Sequence, residues 1–247
     1  RIAATAIVFV SMAAILPVKT AMIAGGWQDA FDPQMLGAVL GGTNVGEAWI
    51  ADAVASLLLV GTLALPSARR APAVAIAAGL VLASLVLTGH AMMHDGLVGY
   101  LQQANDLVHV LASGAWVGAL VPLVLILAGF SDSDEFGERE RALDRFSSAG
   151  RVAVALTVLT GMANTLLIVG GWPIHWSAPY QVLLTAKIVL VIVMIGLAST
   201  NQFRFVPGLA RRPLAASTAI RYGAMGEIVL GLSAIALVAV FGTLDPH

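Results

Sequence analysis

Seven runs of mostly apolar residues recur along this chain, at about 2–24, 46–66, 72–93, 104–129, 149–170, 180–202 and 218–243. A run of about 20 such residues matches the hydrocarbon thickness of a bilayer. Lipid offers no partner to open backbone N–H and C=O groups, so each run must close its own hydrogen bonds as a helix. The fold class that follows is all-α, a polytopic transmembrane helical bundle with seven visible spans, read as a single transmembrane domain over 1–247. Composition agrees. The chain is 59% hydrophobic and 11% charged, against about 25% charged residues in a soluble protein. The first run is longer than a signal-peptide core and has no convincing cleavage site after it.

Charge sets the orientation. Arg1 precedes the first run, Arg69 and Arg70 follow the second, Arg139, Arg141, Arg145 and Arg151 follow the fourth, and Arg204, Arg211, Arg212 and Arg221 follow the sixth. The connections 25–45, 94–103 and 171–179 contain no Lys or Arg. Cytoplasmic loops are enriched in these residues, so the basic connections are expected inside and the C-terminus outside. Trp27, Trp49, Tyr100, Trp172, Trp176 and Tyr180 collect at the outer ends, as an aromatic belt at the interface does. The mixed-sign segment Ser131 to Phe146 reads as a solvated linker. Gly114 and Gly118 are spaced for close helix packing.

The net charge of −1 argues against nucleic acid as a partner. The chain has no cysteine, which removes disulfides, thiolate metal sites and Cys nucleophiles. A soft-metal site would have to use Met and His, ligands suited to an oxidising compartment. A hydrolase is disfavoured, since the sequence has no Ser nucleophile signature, no Gly-rich phosphate loop and no HExxH.

Ionisable residues inside spans are costly and mark function by default. Lys19, Asp52, Lys187 and Glu227 qualify, with Asn164 as a buried amide. Lys19 and Asp52 each lie about six residues from the outer end of consecutive spans, roughly 9 Å deep, and are expected to pair. Lys187 and Asn164 come out at similar depth, in a possible shared polar pocket. Glu227 is expected nearer the cytoplasmic side. If ions cross, Met162, Asn164, Lys187 and Glu227 are candidate stations.

The third run ends in GHAMMHDG, Gly89 to Gly96. His90 and His94 are four apart and share a helix face, with Met93 about 60° away and Met92 pointing elsewhere. The next run opens NDLVHVLASGAW, where Asp106, His109, Ser113 and Trp116 share a face. The two runs are joined by a short outer loop, so His90, His94, Met93, Asp106 and His109 are expected near one another at the outer surface. Imidazole suits Cu, Zn, Fe and Ni, and a thioether adds preference for Cu(I). Asp106 could ligate or orient His109. His175, in an outer loop, and the terminal His247 are weaker ligand candidates.

Several stretches resemble the copper resistance protein D (CopD) family of bacterial inner-membrane proteins: "LTGHA", "DLVHVLASGAWVGAL", "RFSSAGRVAVALTVLTGMANTLL", "PYQVLLTAKIVLVIVMIGLASTNQFR", "GEIVLGL" and "TNVGEAWIADAVASLLL". The order and spacing of these stretches carry the resemblance over nearly the whole chain. It implies about eight spans, one of them upstream of Arg1, and copper handling at the cytoplasmic membrane, often beside a periplasmic copper-binding partner of the CopC type. It points to His90, Asp106 and His109 as functional positions, with Lys187 and Glu227 at matching polar positions. Asp52 departs from the pattern, which often has a basic residue nearby, and Lys19 is the compensating partner in that reading. The expected function is copper binding, as Cu(I) or Cu(II), and copper transport. One alternative is a b-type haem electron-transfer protein clamped by His90 and His109. Another is copper binding or transfer at the periplasmic face without transport. A copper redox activity stays open.

Overall fold

The computed structural model describes residues 2–88, 95–128 and 136–244, with the backbone alone over 136–146 and at 210. Eight α-helices follow one another: α1 Ile2–Ala24, α2 Pro33–Gly42, α3 Asn44–Gly61, α4 Ser67–Ser84, α5 Gly96–Ala128, α6 Phe136–Val169, α7 Pro179–Thr200 and α8 Pro213–Phe241. No strand occurs among the described residues. Among the described residues, seven helical stretches are long and apolar enough to cross a membrane: Ile2–Ala24, Asn44–Ala64, Ser67–Leu87, Gly96–Ala128, Ser147–Val169, Pro179–Leu209 and Pro213–Phe241. The all-α polytopic bundle expected from the sequence is the observed architecture.

Local chemistry sets the helix ends. Asp32 caps α2, its Oδ1 accepting from the Gln34 and Met35 amides at 2.7 and 3.1 Å, and Pro33 fills the first helical position. Thr43 joins α2 to α3. Its hydroxyl donates to the Val39 carbonyl at 2.7 Å and accepts from the Gly46 amide at 3.1 Å. A Cβ at Gly46 would lie 2.4 Å from the Val39 and Leu40 carbonyl oxygens, so this corner closes only around glycine. Gly170 ends α6 at φ +73°, a left-handed cap that glycine adopts without strain.

By packing, the chain forms two compact units, Arg1–Leu107 and Val108–His247. In the first, α1 and α4 pack on α3. Pro17 interrupts α1 and withdraws one backbone donor. One turn before it, the Met12 carbonyl accepts from Trp49 Nε1 at 2.9 Å. That contact fixes the register of α1 against α3. In the second unit, α8 packs on α7. A core of Leu120, Leu123, Leu127, Leu209, Ile220 and Ala224 lies around the start of α8. Tyr180 meets Phe241 edge-on at 5.1 Å near its end.

Some expectations are corrected. The segment Ser131 to Phe146 is not a linker throughout: residues 136–146 are the first turns of α6. Glu, Arg, Ala and Leu dominate there and are strong helix formers, so charge alone was a poor loop signal. Helix α5 begins at Gly96 rather than near 104, and the outer connection 25–45 contains α2. Trp27, Tyr100, Trp172 and Trp176 are exposed as a belt requires, whereas Trp49 bonds across to α1 and Tyr180 is buried. A Cβ added at Gly118 would meet nothing within 4 Å among the described residues, so Gly118 makes no close helix contact there.

Candidate functional site

Helix α5 carries both Asp106 and His109, one turn apart. His109 is partly buried, and its Nδ1 lies 2.9 Å from Thr160 Oγ1 on α6. The Thr157 carbonyl faces the same ring, and the Lys187 ammonium lies within electrostatic range of it. Thr157, Thr160 and Gly161 share one face of α6 by the i, i+3, i+4 rule. Gly161 makes the close approach possible: a Cβ there would meet His109 Cε1 at 3.1 Å and Nδ1 at 3.6 Å. The Nδ1–Cε1 edge of the ring is therefore turned to α6, and Nε2 is turned away. No hydrogen bond to Nε2 is made among the described residues. Ser113, expected on the same face, donates instead to the His109 carbonyl at 2.7 Å.

A second polar centre lies in the same unit. Glu227 is buried at the middle of α8, with 14 helical residues on either side. The apolar run alone places it nearer the cytoplasmic end. The helix starts at Pro213, five residues before the apolar run suggests, and this moves Glu227 to the centre. Its Oε2 accepts from Trp116 Nε1 at 3.3 Å and its Oε1 from Asn201 Nδ2 at 3.2 Å. No cation pairs with it among the described residues. Asn201 opens a short π-helical turn, Asn201–Phe205, at the end of α7. Such a turn re-aims side chains locally, here an amide toward α8. Sequence reading missed this role for Asn201. An Asn closing an apolar run was the available signal.

Asp52 accepts from Ser84 Oγ at 3.1 Å, and the expected ion pair with Lys19 is not made. The Trp49–Met12 contact explains why. Lys19 lies seven residues outward from Met12 and Asp52 three residues inward from Trp49, which separates them by about 15 Å in depth. Lys187, Asn164 and Asp106 are each partly buried, and Met162 is exposed on α6. His175 is exposed, with its backbone amide donating to Gln181 Oε1 at 3.0 Å. His90, Met93, His94 and His247 lie outside the described residues. No group of three His, Asp or Glu converges on a metal-sized site among the described residues.

Comparison with known proteins gives two family matches. Residues 1–100 match the model for the copper resistance protein D-like N-terminal domain. Residues 140–241 match that for copper resistance protein D. Asp106 and His109 fall between the two. Copper resistance protein D of Pseudomonas syringae pv. tomato is 33% identical over 217 residues, covering 83% of this chain and 70% of the relative. Inner membrane protein YebZ of Escherichia coli K12 is 28% identical over 240 residues, covering 96% of this chain and 81% of the relative. Copper transport protein CutJ of Bacillus subtilis 168 is 28% identical over 246 residues, covering 93% of this chain but 42% of the relative. No solved structure matches.

Proposed function

This chain belongs to the copper resistance protein D family, and from that membership we propose that it binds copper and carries it across the bacterial cytoplasmic membrane. Its seven apolar helical stretches make it a multi-pass membrane protein, and a relative is named as an inner membrane protein. In this reading the copper ligands are His109 and His90, supported by Asp106, with His94 and Met93 as further donors near the periplasmic face. The single observation that carries it is the setting of His109: an imidazole on a membrane-spanning helix, anchored through Nδ1 and with Nε2 unclaimed among the described residues. Imidazole nitrogen, carboxylate oxygen and thioether sulfur together suit copper better than a hard cation. In this reading the N-terminal half of α5 and the C-terminus face the periplasm, which the charge pattern of the connections supports, and a CopC-type protein there could deliver or receive the metal.

One observation favours a narrower reading, copper binding at the periplasmic face without passage. The Lys187 side chain lies within electrostatic range of His109, and a basic group beside a cation route weighs against passage unless its charge is offset. Proteoliposomes loaded with a copper indicator separate the two, since binding without uptake leaves only the narrower function.

The ligand set is tested by titrating copper into the purified protein. Loss of an outer-shell partner alone costs about 10- to 100-fold in metal affinity. Removing a direct ligand, as in His109→Ala or His90→Ala, should therefore cost more than about 100-fold, and His94→Ala less. Unchanged copper stoichiometry and affinity in the His90/His109 double variant would sink the proposal. An absorbance spectrum of the same sample with a Soret band would replace copper by haem.

A further inference from the structure

We propose that Thr160 is a positioning residue that holds the neutral ring of His109 in the Nδ1–H tautomer, so that Nε2 is the nitrogen offered to copper. The inference rests on the reading of His109 as a copper ligand, but its first test needs no metal. The argument follows one proton. Thr160 has a single hydroxyl hydrogen, and it is donated to the Leu156 carbonyl at 2.6 Å, one turn back on α6. The Thr157 carbonyl is farther away, at 3.4 Å. A hydroxyl whose hydrogen is committed to a carbonyl can meet a third group only as an acceptor. The 2.9 Å contact to His109 Nδ1 must then be donated by the ring.

The opposite tautomer would give the short contact to Leu156 no hydrogen, because the Thr160 proton would be drawn to Nδ1. Two oxygens 2.6 Å apart with no hydrogen between them repel, which disfavours that arrangement. The ring orientation agrees. Gly161 lets the Nδ1–Cε1 edge lie against α6 and leaves Nε2 on the far side. A hydrogen bond at one imidazole nitrogen decides which nitrogen is left for a metal. Such partners of ligating histidines are worth about 10- to 100-fold in metal affinity.

The experiment is a long-range proton–nitrogen correlation spectrum of the copper-free protein, labelled with 15N-histidine, in detergent micelles. His109 is assigned by its absence in His109→Gln. The expected pattern is a protonated Nδ1 and an unprotonated Nε2. Thr160→Val should lose this bias and bind copper about 10- to 100-fold more weakly, while Thr160→Ser should keep both the tautomer and the affinity. A protonated Nε2 in the wild-type protein overturns the proposal, as does an unchanged tautomer in Thr160→Val. Should Thr160→Val fail to fold, the wild-type and Thr160→Ser spectra still decide the tautomer. Should the wild-type protein bind no copper, the functional reading fails and the tautomer assignment is judged alone.

Discussion

The Glu227 side chain satisfies two buried N–H donors at once, Trp116 Nε1 and Asn201 Nδ2. A buried donor left without a partner costs about 1–3 kcal/mol. Glu227→Ala should strand both and destabilise the protein by roughly 2–5 kcal/mol, seen as a lowered midpoint of denaturation in micelles. Glu227→Gln should behave differently. Its carbonyl can still accept from Trp116, and its amide can donate to Asn201 once the Asn201 amide turns its oxygen inward. The stability cost should then stay within about 1 kcal/mol. Equal loss in the two variants would mean that the charge, not the hydrogen-bonding shape, holds this centre. The sequence exposed Glu227 as an anomaly, because a carboxylate in an apolar run is costly. It did not reveal the partner. Trp116 is 111 residues away, and helical periodicity grouped it with the histidine face, since periodicity relates residues only within one helix.

Between helices, contacts depend on where side chains are missing. A Cβ at Gly223 would lie 2.5 Å from the Asn201 side-chain amide, so α8 accepts the Asn201 side chain only because that position is bare. Gly231, two turns further along α8, meets Val117 and Met194 in the same way, at 3.1 and 3.4 Å. Gly223→Ala should therefore destabilise by about 1–3 kcal/mol through overpacking. Gly37→Ala on α2, with open space around it, should be neutral or slightly stabilising, because Ala outranks Gly in a helix by about 1 kcal/mol. Matching denaturation midpoints for the two variants would refute this packing argument. The Gly114–Gly118 spacing suggests a packing face in the sequence, yet a Cβ at Gly118 would meet nothing within 4 Å, while among the described residues Gly46, Gly161, Gly223, Gly226 and Gly231 are closely approached. Spacing within one helix cannot say which face meets a neighbour. The spans themselves were legible because lipid imposes their length and polarity. The short α2 and the charged start of α6 were not, since neither is apolar enough to register as a span.

At the scale of the whole molecule, membrane orientation rests on a one-sided distribution of Arg. The structure adds a local reason for one of these residues to sit where it does. The Arg70 guanidinium donates twice to the Leu65 carbonyl, from Nε at 3.1 Å and from Nη2 at 2.7 Å, at the turn between α3 and α4. A cation at the C-terminal end of a helix also meets its negative dipole end. Arg70 therefore serves the turn as well as the topology, and a structural need alone could account for one Arg. It cannot account for the absence of Lys and Arg from all of 25–45, 94–103 and 171–179, which is the asymmetry that the positive-inside rule uses. The chain's lack of cysteine makes the test direct. Ser67, beside Arg69 and Arg70, and Ser177, in the connection before α7, are both exposed. In intact spheroplasts a membrane-impermeant maleimide should label Ser177→Cys at once and Ser67→Cys only after permeabilisation. The reverse pattern would invert the topology. It would also turn the half of α5 that carries Asp106 and His109 toward the cytoplasm, where glutathione competes for copper and a Met–His site without thiolates would be a poor choice.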